Sequence, residues 1–291
     1  MKDPTKNNKD RYVSPAVEQA ARILFQLAET PAPAMSLIEI CDRVGIHKSK
    51  AFTILETLQR FGLIRKNEEG KGYALGPSLI SLSRKVLDDL SAPRLAEPIL
   101  EELVSKVGTT AALGLIAGRN VFVATKREGA GPVVVTMRVG HRLPLTYGCH
   151  GKAIAAFLPQ KELEELLRDK KLYFYGDPSR FDKAKVRQDI ERCRRDWFAE
   201  DLEETAPGLN AVAAPVLGPT GRPIGYIVVL GLASAKAARQ YGPLVAAAGK
   251  TLSRQLGAEI DPAVANSARA LGGKQNRALY GRESNPLRTK S

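Results

Sequence analysis

The stretch "SLIEICDRVGIHKSKAFTILETLQRFG", from Ser36 to Gly62, constrains the fold more than any other part of the chain. It carries two helical periods with a single glycine between them. Ser36 followed by Glu39 is a capping box, in which each side chain satisfies a backbone N–H of the other residue. Leu37, Ile40, Cys41 and Val44 then share one stripe. Gly45 supplies a tight exit, because glycine adopts the left-handed conformation that ends a helix. The second period places Ala51, Ile54, Leu55, Leu58 and Phe61 on one stripe and Lys50, Thr53, Thr57 and Arg60 opposite. Helices joined so closely cross at a steep angle, which exposes the polar side of the second. That side is either an ordinary solvated face or a surface that reads a partner.

The flanks bear on the choice. From Pro15, the residues Val17, Ala20, Ala21, Leu24 and Leu27 or Ala28 keep helical spacing, and "TPAPAM" stops that helix. After Gly62, "GLIRKNEEGKGYALG" reads as two short strands around a Glu-Glu-Gly-Lys-Gly turn. Helix, capped helix, glycine turn, helix and hairpin is the order of a winged helix-turn-helix. Such clusters also occur inside enzymes, so the remainder of the chain has to be read as well.

Charge favours a polyanion. The 291 residues carry a formal net charge of +13. Residues 1–85 hold 14 Lys/Arg against 9 Asp/Glu, and residues 261–291 hold 6 against 2. A charge sum cannot separate DNA from RNA or anionic lipid. The first 12 residues are polar, and no apolar run is long enough for a signal peptide or a membrane span. Cys41, Cys149 and Cys193 cannot all pair and lack metal-ligand spacing. A protein of the reducing cytoplasm is expected.

Beyond the hairpin, "PSLISLSRKVLDDL" reads as a linking helix and Leu95 to Val107 as another. "AALGLIAGRNVFVATK" gives two strands joined at Gly118–Asn120, and "PVVVTM" a third. Helices are expected at 151–158, 161–170, 182–198 and 236–256. "NAVAAPVLGPTGRPIGYIVVLG" is a hairpin of apolar strands turning at Gly218–Gly221. The fold class is α+β with an antiparallel sheet. The expected divisions are a disordered tail 1–12, a winged helix-turn-helix 13–76, a linker helix 77–91, a sensor-like domain 92–260 and a flexible basic tail 261–291. No P-loop, G-x-G-x-x-G or G-x-S-x-G motif occurs, so no cofactor is expected. Cys149 beside His150 is a poor catalytic pair, since adjacent residues seldom reach one substrate atom. No enzyme is expected.

Four stretches in order resemble the IclR family of bacterial transcription regulators: "EICDRVGIHKSKAFTILETLQRFGLI", "GYALGPSLISL", "VGHRLPLTYGCHGKAIAAFL" and "EDLEETAPGLNAVAAPVLGPTGRPIGYIVVLG". They span roughly residues 13–258. The resemblance implies a DNA-binding head, a linker helix and a GAF/PAS-like effector-binding domain, with assembly as a homodimer or a dimer of dimers. It implies a double-stranded DNA operator and a small organic acid effector as partners, and no membrane. A recognition helix reads base edges from its N-terminal half while basic residues hold phosphate. Lys48, Ser49, Lys50 and Thr53 are therefore the expected readers, and Arg65, Lys66 and Lys71 of the wing the expected backbone contacts. A basic protein binding nucleic acid without sequence preference is the alternative.

For the effector, the resemblance aligns Cys149, His150, Asp201 and Ala211 with pocket positions. Lys152 is expected to support the motif or a subunit contact rather than bind ligand, and Glu203 and Glu204 to orient the loop before Gly208. The chain departs from the family at His47, where members often have proline, and at Thr53, where an arginine is common. Val228 and Leu230 stand where members that hold small keto or hydroxy acids have serines. Losing two hydroxyls disfavours a small, highly charged acid, because a buried carboxylate without partners is costly. An aromatic or alicyclic carboxylate is expected, its polar end toward His150 or Arg119 and its ring toward Val228 and Leu230.

Overall fold

A computed structural model describes residues 14–67, 71–89 and 91–260, with the side chains of 84–89 left out. Both tails and the wing tip at 68–70 lie outside the described residues. The chain divides into two compact units, 1–90 and 91–291.

In the first unit, α1 (Pro15–Glu29) leads to a two-residue strand β1 (Met35–Ser36), α2 (Leu37–Val44) and α3 (Lys48–Arg60). β2 (Ile64–Lys66), β3 (Gly72–Leu75) and α4 (Ser78–Asp89) complete it. The capping box forms as its residues dictate, with Glu39 N donating to Ser36 Oγ at 3.3 Å and Ser36 N to Glu39 Oε2 at 2.8 Å. Gly45 takes φ 72°, so α2 ends without strain. Ile23, Met35, Ile40, Leu55, Ile64 and Tyr73 form the core between the helices and the hairpin. β1 was not expected. Met35 pairs with Tyr73 and Ser36 with Gly72, adding a strand on the free edge of β3. Two residues carry no sequence pattern of their own, so only the pairing reveals them.

The second unit opens with α5 (Ser91–Val107), then β4 (Thr110–Ala117), β5 (Asn120–Arg127) and β6 (Arg142–Pro144). There follow α6 (Gly148–Ala156), α7 (Gln160–Leu166), α8 (Lys183–Asp196) and β7 (Ala199–Leu202). β8 (Asn210–Leu217), β9 (Pro223–Gly231), α9 (Ala235–Gln240) and α10 (Gly242–Gln255) close the fold. The strands form one antiparallel sheet in the order β6-β5-β4-β9-β8-β7. α5 and α10 cover one face, where Gly249 lies against Ala214 and the Pro215 carbonyl. α6 and α8 lie on the other. Burial on both faces explains why β8 and β9 read as nearly continuous apolar runs rather than alternating ones.

Three expectations are corrected and one strand is added. Residues 132–137 are not a strand; β6 takes that edge of the sheet instead. After Gly129 and Gly131 the chain crosses the sheet's end, where Val135 O accepts from Thr110 Oγ1 at 2.5 Å and Val135 and Met137 pack on the core. Alternating valines serve a cover as well as a strand. α6 begins at Gly148 rather than Gly151, so Cys149 and His150 belong to its first turn. The last helix is broken at Tyr241: a Cβ on Gly242 would stand 2.4 Å from the Phe198 ring, and Pro243 restarts the helix. β7 is an addition that its polar composition concealed.

Candidate functional site

Two surfaces gather the residues singled out by sequence. On α3, Lys48, Ser49, Lys50 and Thr53 are all exposed. The helix is preceded by His47, whose side chain makes no capping bond, so the first N–H groups remain open to an anion. Thr53 Oγ1 donates to Ser49 O at 3.1 Å and Thr57 Oγ1 to Thr53 O at 2.8 Å. Each threonine thus donates its hydroxyl proton to its own helix, which leaves an acceptor oxygen and a methyl group for an outside partner. In the wing, Arg65 and Lys71 are exposed. Lys66 differs from them. It pairs with Glu56 at 3.2 Å and lies over the Tyr73 ring at 5.7 Å, so its charge is already matched within the unit. Phe52, 48% exposed on α3, is an apolar residue on this surface that polar patterning passed over.

In the second unit, antiparallel register aligns rows of side chains on the sheet face beneath α6. Asp201, Ala211, Leu230 and Thr110 form one row, and Ala199, Ala213, Val228 and Ala112 the next. Pro215, Tyr226, Gly114 and Val123 form a third. Cys149, Val228 and Leu230 are buried in one cluster, with Ala211 packed at its margin. His150 is buried too, its ring stacked on Tyr226 at 4.5 Å between centroids and 13° between planes. His150 Nε2 lies 3.3 Å from Pro144 O. A carbonyl only accepts, so Nε2 carries the proton. Burial pushes the His150 pKa down to about 4, partly opposed by the Pro144 carbonyl. It is a neutral ring at physiological pH. Burial also raises the Cys149 thiol well above its ordinary value, and the Asp201 carboxylate adds to that.

Asp201 stands in the row of Ala211 and Leu230 and also closes a turn. Its carboxylate accepts from Glu204 N at 2.9 Å, Thr205 N at 3.1 Å and Thr205 Oγ1 at 2.7 Å, closing the turn from β7 to β8. Burial raises its pKa, with the Thr205 bonds pulling the other way. The structure holds the Arg119 side chain at the surface, while its backbone carbonyl accepts from Leu145 N at 3.1 Å, next to the Pro144 that His150 contacts. Arg119 sits at the β4–β5 turn, its side chain 82% exposed and paired with Asp169, at the opposite end of β4 from Thr110. A turn residue at a strand's far end cannot reach Leu230, which pairs with Thr110.

Lys152 supports the motif, as its position suggested. It is buried, with Nζ 3.0 Å from Asp189 Oδ2 and 3.1 Å from Glu200 O, and it is bonded to Glu204 as well. Burial works against its charge, but Asp189 and Glu204 hold the ammonium above the ordinary lysine value. Tyr175 donates to Asp189 at 3.1 Å, and its ring lies under Lys152 at 4.7 Å. A polar cavity of about 240 Å³ opens beside this network. The cations that line it, Lys152, Lys185, Arg192 and Arg239, each face a carboxylate of the same wall. The sequence reading missed Asp189, Tyr175, Thr205 and Tyr226. Of these, only Tyr226 left a trace, as a lone bulky ring opposite a lone strand glycine, Gly114.

Comparison with known proteins agrees with this layout. Residues 84–256 match the family described as bacterial transcriptional regulator IclR C-terminal, and residues 16–68 match the IclR helix-turn-helix domain. The HTH-type transcriptional regulator XynR of Escherichia coli K12 is 30% identical over 75% of this chain and 86% of its own length. The crystal structure of Pseudomonas aeruginosa HmgR is 27% identical with a TM-score of 0.62, covering 83% of this chain and 99% of that one. An IclR homologue from Microbacterium hydrocarbonoxydans, crystallised with 4-hydroxybenzoate, shares the fold with a TM-score of 0.65 at 19% identity, covering 82% of this chain and 99% of that one. The two matched regions, in this order on one chain, make this protein a member of the IclR family of DNA-binding transcription regulators.

Proposed function

We propose that the protein reads its operator with Lys48, Ser49, Lys50 and Thr53, while Arg65 and Lys71 hold the phosphate backbone. Lys66 contributes to the wing's internal structure instead. The observation that carries this reading is the exposed, uncapped N-terminal half of α3. Working divisions of 13–76 for the DNA head, 77–91 for the linker and 92–260 for the sensor follow, with assembly as a dimer or a dimer of dimers in the cytoplasm.

The effector is a small ring-bearing carboxylate, aromatic or alicyclic. Its apolar body packs against Val228, Leu230 and Ala211. Its acid lies at the first turn of α6, where the N–H groups of Cys149 and His150 are outside the helical ladder, that of Gly148 being bonded to Tyr173 O at 3.2 Å. Among the residues expected at this site, Lys152 and Arg119 are paired with carboxylates and His150 is neutral; Lys126, in the row of Val228, is paired with Glu128. That balance disfavours small, highly charged acids. The crystallised relative that holds 4-hydroxybenzoate is consistent with such a ligand. Binding shifts the population between states of different operator affinity. The site is a binding site and not a catalytic one. A nucleophilic cysteine needs a lowered pKa, and burial drives Cys149 the other way.

Calorimetry with benzoate, cyclohexanecarboxylate, glyoxylate and pyruvate tests the effector. Ring acids should bind and also change operator affinity measured in parallel. Tight binding of glyoxylate or pyruvate, with no heat from either ring acid, would overturn the assignment.

A further inference from the structure

Tyr226 is fully buried on β9, yet its hydroxyl has no hydrogen-bond partner. Buried polar groups are almost always paired, and a stranded one costs about 1–3 kcal/mol. Four other buried side-chain atoms among the described residues are unpartnered, on Gln19, Gln59, Trp197 and Asn210. Tyr226 is the one that shares a cluster with Cys149, Val228 and Leu230.

Its ring is clamped from both sides. Below lies Gly114, where an added Cβ would stand 2.2 Å from the ring. Above lies His150, stacked at 4.5 Å. Neither neighbour serves the hydroxyl: glycine has no side chain, and the His150 Nε2–H is directed to Pro144 O. The packing therefore fixes a neutral donor in place on an apolar face. A fixed donor costs little to engage, since its orientation is already set. Because the hydroxyl is unpaired before binding, a ligand that offers it an acceptor gains a bond that a bare ring does not make.

We propose that Tyr226 is a specificity-determining residue of the effector site. Its hydroxyl pairs with an oxygen on the effector's ring, so hydroxylated or oxo-substituted ring acids are selected over bare ones. This rests on the effector reading given above and adds to it a named donor and a ligand class.

The test uses the full chain, wild type and Tyr226→Phe, with benzoate, 3-hydroxybenzoate and 4-hydroxybenzoate as probes in calorimetry. Wild type should bind at least one hydroxylated acid about tenfold tighter than benzoate. Tyr226→Phe should lose that preference and keep its benzoate affinity. A thermal melt without ligand supplies a second readout, in which Tyr226→Phe melts at or above the wild-type temperature because it sheds a stranded donor. A merely structural tyrosine would instead melt lower on losing its hydroxyl. The proposal is overturned if Tyr226→Phe retains the hydroxyl preference or melts clearly below wild type. Wild-type binding of all three acids without preference overturns it too, and leaves the effector reading standing. Should wild type bind none of them, the aromatic-acid reading fails and takes this inference with it.

Discussion

At the scale of single residues, the structure reassigns roles that residue type alone leaves open. Thr53 is the clearest case: its hydroxyl donates to Ser49 O, so no hydroxyl proton is left for a base and the methyl is its freest group. Thr53→Val, which keeps a methyl, should bind operator within about twofold of wild type, whereas Thr53→Ser should lose several-fold. Loss in Thr53→Val with Thr53→Ser near wild type would assign the contact to the hydroxyl instead. His150 sets a pH dependence. In the unfolded chain it titrates near 6.5, and in the fold burial holds it at about 4. The unfolded state then binds more protons between these values, so this contribution is complete above about pH 6.5 and is lost as pH falls toward 4. The gap corresponds to roughly 3 kcal/mol. Melting temperatures from pH 7 to 4 should fall more steeply for wild type than for His150→Gln, and parallel curves would refute this. Lys152→Met should cost about 3 kcal/mol in urea unfolding, because Asp189 and Glu204 would lose the buried cation between them and keep only the half-exposed Arg192 and Lys185. Adding Asp189→Asn and Glu204→Gln should restore part of that loss. Residue roles of this kind were the least legible from sequence. The bond from Thr205 to Asp201 leaves no mark in the sequence, and the Tyr226–His150 stack joins residues 76 positions apart.

At the scale of elements, legibility follows how locally an element is specified. The capped helix, glycine exit and reading helix were plain from sequence because capping and periodicity act within a few residues. The β8–β9 hairpin was plain for the same reason. β1 and β7 were not, since two and four residues take their identity from the strand beside them. Residues 132–137 misled because alternating apolar residues suit either a strand or a cover laid over a sheet's end. The start of α6 was placed three residues late because Gly148 and Gly151 are equally good entries by composition. Local specification is open to measurement. Ser36→Ala removes one half of the capping box and should cost the first unit about 1 kcal/mol. Thermal unfolding of the first unit that does not change would mean tertiary packing alone sets the start of α2.

At the scale of the whole molecule, one chain combines a reading head with a sensor fold, and its +13 charge adds affinity for any duplex. Charge alone gives binding that falls with salt and ignores sequence, while α3, on the proposed reading, adds the discrimination that charge cannot supply. The most direct measurement is fluorescence anisotropy on the DNA upstream of this protein's own gene, with a scrambled duplex beside it, at two salt concentrations. Wild type is compared with the Lys50→Ala, Thr53→Ala double variant. The account predicts tight wild-type binding to the native duplex, weak and salt-sensitive binding to the scrambled one, and a double variant that binds both like the scrambled duplex. Equal, salt-sensitive binding of both proteins to both duplexes would contradict it and leave only a basic surface.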